Sequence, residues 1–405
     1  MSALFVVTLL IGCSPSPADV TSEYHETAQF TPAGIPIQVA STPVLTPPPT
    51  PEPTSPIQDT AAPLTFPTPT VTATGAAIES IPFVPVLGGA DRLAFVDRND
   101  IWVANLDGNQ LTRLTQDGDS KSSLQWAQDG HKLYFVADNC INAIELTSST
   151  SMEIVCFESH KDHMSFQLSP DESQVAINLD YELFVVPFVP SQLARVRTRE
   201  DLSSLGSCAA LSPYRHRQSI VRVLRTYWSD DSRQLAILRQ AFEDDKAVEL
   251  IDILDISRCI SPLPRLDEFP ATRIDLDNYL HTPVLQDFTW DGGDLFALTD
   301  FKRNDGFGDL WIYNTQLHRG FKANPIAGKC CYRDPAFSPD GKYLAFAFQD
   351  AGPAAGEQVV LYFIPYAALD TSLVYPPIDL PAEFFSEPHT KPQVILRPSP
   401  PGDQQ

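Results

Sequence analysis

One phrase recurs along this chain, and it limits the fold more than any other feature. It is cleanest at Ala336-Phe337-Ser338-Pro339-Asp340-Gly341-Lys342-Tyr343-Leu344-Ala345-Phe346. Copies run from Leu124 to Val136, Phe166 to Ile177 and Thr226 to Leu238, with a shortened one from Phe288 to Leu298. Each reads as a strand ending in a large side chain, a Pro/Asp/Gly turn that reverses the chain, and a second strand of alternating apolar residues. A hairpin cannot bury its faces alone, and further strands follow: Asp100 to Leu106 and Gln110 to Thr115 after the first unit, Asp309 to Asn314 after the fifth. Units of roughly 42 to 62 residues with about four strands each predict an all-β chain, a six-bladed β-propeller running over residues 81–365. The first unit is expected to begin with Ile81 to Leu87 and Arg92 to Asp97. The sixth lacks an obvious fourth strand, and Gln393 to Arg397, in a Pro-rich tail over 366–405, is the candidate to supply it and close the ring.

The strand, Ser-Pro-Asp-Gly, Leu-Ala-Phe order at Phe337 to Phe346 resembles the TolB-like (WD-repeat-like) propeller repeat. The resemblance covers roughly Asp91 to Pro365 and is diluted at Asp171 to Ser173 and Asp291 to Asp294. TolB itself carries an α/β domain ahead of its propeller, where this chain has a proline-rich segment. The resemblance therefore implies the fold and not membership of the Tol system.

The N-terminus reads as an address. An apolar run from Ala3 to Ile11, too short to span a bilayer, ends in Leu10-Ile11-Gly12-Cys13, which resembles the lipobox of bacterial lipoproteins. Residues 1–13 are thus expected to be a lipoprotein signal, with Cys13 lipidated and the mature protein outside the cytoplasm, on the cell surface or in the periplasm. No Lys or Arg precedes Arg92, whereas such signals carry a basic n-region, so translation is expected to start upstream of Met1. Residues 14–80 are dominated by Pro, Thr, Ser and Ala, which cannot bury enough apolar area to offset their ordering entropy. They predict a disordered stalk that reaches on the order of 200 Å when fully extended.

Six cysteines remain beyond Cys13: Cys140, Cys156, Cys208, Cys259, Cys330 and Cys331. An even number in an exported chain predicts disulfides. Cys140 with Cys156 is the first choice, because both lie in the second unit on runs that read as neighbouring strands. Cys208 with Cys259 is plausible in the fourth, leaving Cys330 and Cys331 as an adjacent pair or as partners for the others.

Few residues suggest chemistry. No Gly-x-Ser-x-Gly, phosphate loop, His-Glu-x-x-His or Cys-x-x-Cys occurs, and the stretch after Pro365 is too short for an α/β-hydrolase domain. No catalytic residue, metal ligand or cofactor is assigned. His160-Lys161-Asp162-His163 reads as a solvated loop, and Asp117-Gly118-Asp119 and Asn304 to Asp309 as turn chemistry, ahead of any metal site. Trp126, Trp228 and Trp290 share one repeat position, and Trp102 and Trp311 share another, so all five read as inter-blade core rather than sugar platforms. The alternation around Arg195, Arg197 and Arg199 and around Arg222 and Arg225 suggests solvent faces of strands, a plainer reading than an anion-docking patch that would add Arg215 and Arg217.

The net charge is -23, of which six acidic residues before residue 90, unmatched by any basic one, contribute -6. Such a field repels nucleic acid and favours cationic partners. The preferred function is a lipid-anchored, non-catalytic binding or scaffold propeller for a protein, peptide or cell-envelope polymer. The alternative is a propeller hydrolase or lyase with its active site at the channel mouth. The mouth separates them: converging carboxylates or histidines with perturbed pKa values favour the enzyme, an apolar closure with a concave blade face the binder.

Overall fold

The computed structural model describes residues 85–158, 163–206, 208–211, 215–216, 219–220, 222–243, 246–259, 263–270, 285–300, 308–327, 331–350, 358–371, 373–386 and 391–400. The lipobox with Cys13, the stalk, Cys330 and His160 to Asp162 lie outside them.

Each copy of the repeat forms the inner pair of an antiparallel sheet. Blade 1 contains β1 (Ala90–Asp97), β2 (Asp100–Asn105) and β3 (Thr112–Arg113), and blade 2 runs β4 (Lys121–Trp126), β5 (Lys132–Ala137), β6 (Cys140–Glu145) and β7 (Ser151–Cys156). Blade 3 runs β8 (Met164–Leu168), β9 (Gln174–Leu179), β10 (Glu182–Pro187) and β11 (Cys208–Leu211), followed by a small hairpin, β12 (Arg215–His216) and β13 (Ser219–Ile220). Blade 4 runs β14 (Arg222–Trp228), β15 (Gln234–Glu243), β16 (Lys246–Asp255) and β17 (Arg265–Pro270), and blade 5 runs β18 (Leu285–Trp290), β19 (Leu295–Asp300), β20 (Leu310–Asn314) and β21 (Arg319–Lys322). Blade 6 has three strands, β22 (Tyr332–Phe337), β23 (Tyr343–Phe348) and β24 (Val360–Pro365), and the last strand is β25 (Ile395–Pro398).

β25 closes the ring from the C-terminal tail, as expected, but in a different blade. It pairs antiparallel with β1 and becomes the inner strand of blade 1, not a fourth strand of blade 6. Residues 85–87, expected to begin the first unit, make only a bridge from Leu87 to Ala90. Blade 6 keeps its short sheet because Tyr375 to Pro381 runs past β24 without forming a ladder, the Ile378 N–H donating to the Leu361 carbonyl at 2.8 Å. Pro376, Pro377 and Pro381 have no N–H to offer a fourth strand. The inner strands touch in cyclic order, β25 with β4, then β8, β14, β18, β22 and back to β25, which makes the six sheets a closed ring around a channel.

An apolar cluster fills each interface between successive blades. Trp126, Trp228 and Trp290, at the ends of their inner strands, are 6%, 5% and 6% exposed, as core residues should be. At one end of the channel the repeat's turns interlock. In blade 6 the Asp340 carboxylate accepts the Ser338 hydroxyl at 2.9 Å and the Lys342 N–H at 2.9 Å, while Gly341 takes φ +69°. Blades 3 and 4 repeat this at Asp171 and Asp231, with Glu172 and Ser232 in the left-handed position. Neighbouring turns then meet: Gln128 N–H to Glu172 at 3.0 Å, Asp171 N–H to Ser232 at 3.1 Å, Asp230 N–H to the Gly292 carbonyl at 3.2 Å, and Asp340 N–H to the Gly88 carbonyl at 3.1 Å. The repeated aspartates thus build turns and join blades.

Cys140 is bonded to Cys156 and Cys208 to Cys259. The first pair sits directly across β6 and β7, and the second ties β11 of blade 3 to the segment after β16 of blade 4. Cys331 is also disulfide-bonded, to a partner outside the described residues. Such bonds belong to an extracytoplasmic protein.

Candidate functional site

The inner strands carry a second regularity. Three residues before the large side chain that ends each one stand Ser123, Ser165, Arg225, Asp287 and Asp334, in blades 2 to 6. In four of these blades the register shifts across this position, between Ser122 and Gln125, Val223 and Arg225, Leu285 and Asp287, and Arg333 and Ala336. A β-bulge re-aims the side chain beside it. Ser123 and Asp334 accordingly take φ +52° and +49°, as does Gln393 at +49° just before β25.

Ser123, Ser165, Arg225 and Asp334 line one cavity of about 260 Å³ in the channel, together with His163, Lys391 and Gln393. Apolar walls come from Met164, Phe166, Leu224 and Val394. The Gln393 side-chain amide donates to the Lys121 carbonyl at 2.9 Å and accepts the Ser123 N–H at 3.1 Å, so the C-terminal segment is pinned to blade 2 beside the cavity. The Gln393 N–H donates in turn to Asp334 at 3.2 Å. His163, the last residue of the His160 to His163 run, lies here with Nε2 3.1 Å from the Leu224 carbonyl and its ring stacked on Tyr181.

Charges in this wall are matched. Arg225 Nη2 lies 2.6 Å from Asp287, whose side chain is 6% exposed, whereas the Arg225 side chain is 40% accessible from the passage. Burial works to discharge the guanidinium, but Asp287, then Tyr227 and Asp334, outweigh it and hold it charged. Burial, and next the Asp287 charge, push the Asp334 carboxyl up to about 6, against the pull of Arg333 and Arg225. Asp334 and Arg333 are 5% and 1% exposed. The mouth is therefore not closed by apolar side chains: Asp334 lines it, and Asp287, near enough to raise Asp334, stands behind Arg225.

The arginine expectation holds for Arg222, exposed on a strand, and is corrected for the others. Arg222 and Arg225 lie on the inner strand of blade 4, where Arg225 faces the channel. Arg195 to Arg199 are not a strand at all: they join α1 (Pro190–Leu193) to α2 (Arg199–Ser204), with Thr198 and Asp201 forming a capping box. The side chain of Arg215, and all of Arg217, lie outside the described residues. Asp117 and Asp119 hold a cation of the protein's own, Lys121, whose Nζ contacts the Asp117 carboxylate and donates to the Asp119 carbonyl at 2.7 Å. In the other candidate loop, residues 304–307 lie outside the described set, and Asp309 contacts Lys322 and accepts from Asn324, each at 2.8 Å.

No protein-family model matches the sequence, and no curated protein does. Among solved structures the chain is similar to TolB from Acinetobacter baumannii, with TM-score 0.49 and 16% identity over 76% of this chain and 67% of that one. It is similar to the hydrazine synthase of Kuenenia stuttgartiensis, with TM-score 0.48 and 11% identity over 77% of this chain, and it spans 48% of that one. A protein of Agrobacterium tumefaciens described as a TolB gives 0.43 and 14%, over 68% and 86% of the two chains. The six-bladed ring rests on the sheet order and the inner-strand contacts given above.

Proposed function

We propose that this chain is a lipid-anchored, non-catalytic binding or scaffold propeller outside the cytoplasm, whose channel mouth recognises a protein, peptide or cell-envelope polymer. One observation carries the reading: the groups that reach the passage are donors, while both carboxylates are almost fully covered. A general acid or base must come within hydrogen-bond distance of the atom it serves. Asp287 is instead engaged with Arg225, and Asp334 accepts the Gln393 N–H, which suits recognition. The lipid at Cys13 and the stalk would set the reach of the head; the disulfides support the compartment.

The convergence of Asp287 and Asp334, with Asp334 raised to about 6, favours the hydrolase or lyase alternative. The two readings separate in one experiment. Envelope fractions are passed over the full-length chain and over a Lys391→Gln variant, while sugar, lactone and peptide substrates are assayed for turnover. Capture that is lost in the variant, without turnover, is expected. Turnover abolished by Asp287→Asn or Asp334→Asn overturns the proposal.

A further inference from the structure

A second surface lies at the other end of the strands from the channel cavity, where the turns of blades 4 and 5 meet. A groove of about 570 Å³ runs there from Ser229 and Asp230 out to Leu266 on β17 and to Gln316 and His318 on the turn between β20 and β21. Asp230, Asp231, Asp267 and Asp294 line it, and among the described residues no Lys or Arg does. Covered carboxylates elsewhere are matched by such groups, Asp91 by Arg397, Asp287 by Arg225 and Asp309 by Lys322. Here the one basic group among the described lining residues is His318, with Nδ1 3.5 Å from Asp267, while Arg265, next to Leu266, is turned to Asp252 and Glu268.

Asp230 has no part in building its turn. The repeat has Pro170 and Pro339 at this place, and in blade 4 it is Asp231 that accepts the Ser229 hydroxyl and the Arg233 N–H. The Asp230 carboxylate is exposed and makes no hydrogen bond or ion pair among the described residues. Partial burial, then the Asp291 and Asp231 charges, hold it above its ordinary value. A carboxylate facing like charges and no cation is relieved by a cation from outside. A bare metal ion does not fit, because no three of these carboxylates bring their oxygens within 4.8 Å of one another. The apolar part of the groove fits a longer cation: Leu266, on its wall, is 53% exposed, and Leu317, between Gln316 and His318, is 73% exposed. A lysine or arginine side chain lays an apolar stem along such a wall and carries its charge onward to the carboxylates.

We infer that this groove docks a segment of a partner protein in which a lysine or arginine stands beside an apolar residue, the cation reaching Asp230 and the apolar group covering Leu266. The test is affinity selection with the full-length chain from a mixed library of hexapeptides blocked at both ends, read by mass spectrometry, with spermidine and calcium chloride as competitors. Retained peptides are expected to carry Lys or Arg next to an apolar residue. Asp230→Asn and Leu266→Ser, which replace exposed side chains and spare the fold, should each weaken their retention severalfold, as should raised salt, the scale of an exposed ion pair. Asp119→Asn, at an exposed carboxylate beside blade 2, and Lys391→Gln in the channel should leave retention unchanged. No retention, retention without regard to Lys or Arg, indifference to Asp230→Asn or Leu266→Ser, or an equal loss with Asp119→Asn, the mark of the general field, would each overturn the inference. Displacement of the peptides by calcium or spermidine that binds the Leu266→Ser variant just as well would overturn it too, since a small cation would then be the occupant. Loss with Lys391→Gln but not with Asp230→Asn would move the peptides to the channel, which defeats the groove and leaves the channel reading standing.

Discussion

Asp91 and Arg397 form the ion pair that most directly reports on how the ring is shut. They are 306 positions apart, and Arg397 Nε donates to the Asp91 carboxylate at 2.7 Å with a second contact through Nη2. Their side chains are 6% and 9% exposed, on β1 and β25 of blade 1. Arg397→Leu leaves a buried carboxylate without its partner, and Asp91→Leu leaves a buried guanidinium; each should cost about 3 to 5 kcal/mol. The double variant leaves no orphaned charge, and apolar replacements of buried pairs are often near neutral, so it should be more stable than either single one. Urea unfolding of all four proteins, compared at unchanged m-value, gives the coupling. Single losses under about 1 kcal/mol, or losses that simply add in the double variant, would refute a closure built on this pair.

Closure was the part of the fold least visible in the sequence, and the reason is physical. The repeat is local: Ser338, Asp340 and Gly341 write their turn within a few residues, so the hairpins and the number of blades could be read directly. Which sheet receives Ile395 to Pro398 depends on where the two ends of the chain meet, and no local pattern encodes that. The arginines show the opposite failure. Alternation around Arg222 and Arg225 does mark a strand, but the bulge between Val223 and Arg225 shifts the face, and the inner strand of a blade faces the channel. Arg195 to Arg199 alternate too, yet Thr198 and Asp201 cap a helix there. The channel set had a usable signal after all. One repeat position, held by Ser123, Ser165, Arg225, Asp287 and Asp334, is polar in all five copies, which marks a place outside the apolar packing. His163 and Lys391 reach the same cavity from loops and carry no such mark.

Three further outcomes are expected. Gly292→Ala would put a Cβ 2.0 Å from Asp230 Oδ1 at φ +83°, whereas Gly118→Ala at φ +76° meets nothing within 4 Å. Both pay about 1 to 2 kcal/mol for the left-handed backbone. Thermal unfolding should show a clearly larger loss for Gly292→Ala, and equal losses would argue against interlocked turns. Removing the Cys208 to Cys259 bond, which spans 51 residues, should cost about 4 kcal/mol, against about 3 for the 16-residue span of Cys140 to Cys156, by the chain-entropy relation. Urea midpoints of the two paired serine variants check the order. For Asp334 the folded pKa of about 6 lies above the ordinary 3.8, so the native state holds the proton more tightly between those values. Its contribution is complete below about pH 3.8 and is lost as pH rises through about 6, and Asp334→Asn should flatten that decline in a pH series of urea unfolding. An unchanged slope would remove Asp334 as its source.

Hydrogen exchange of the full-length chain, with and without a saturating captured partner, tests the channel-mouth account most directly. Protection is predicted at residues 122–124, 163–167, 224–227 and 391–395, segments from four different blades that meet only at the cavity. Protection confined to outer strands such as β17 or β21, with these four segments unchanged, would contradict it.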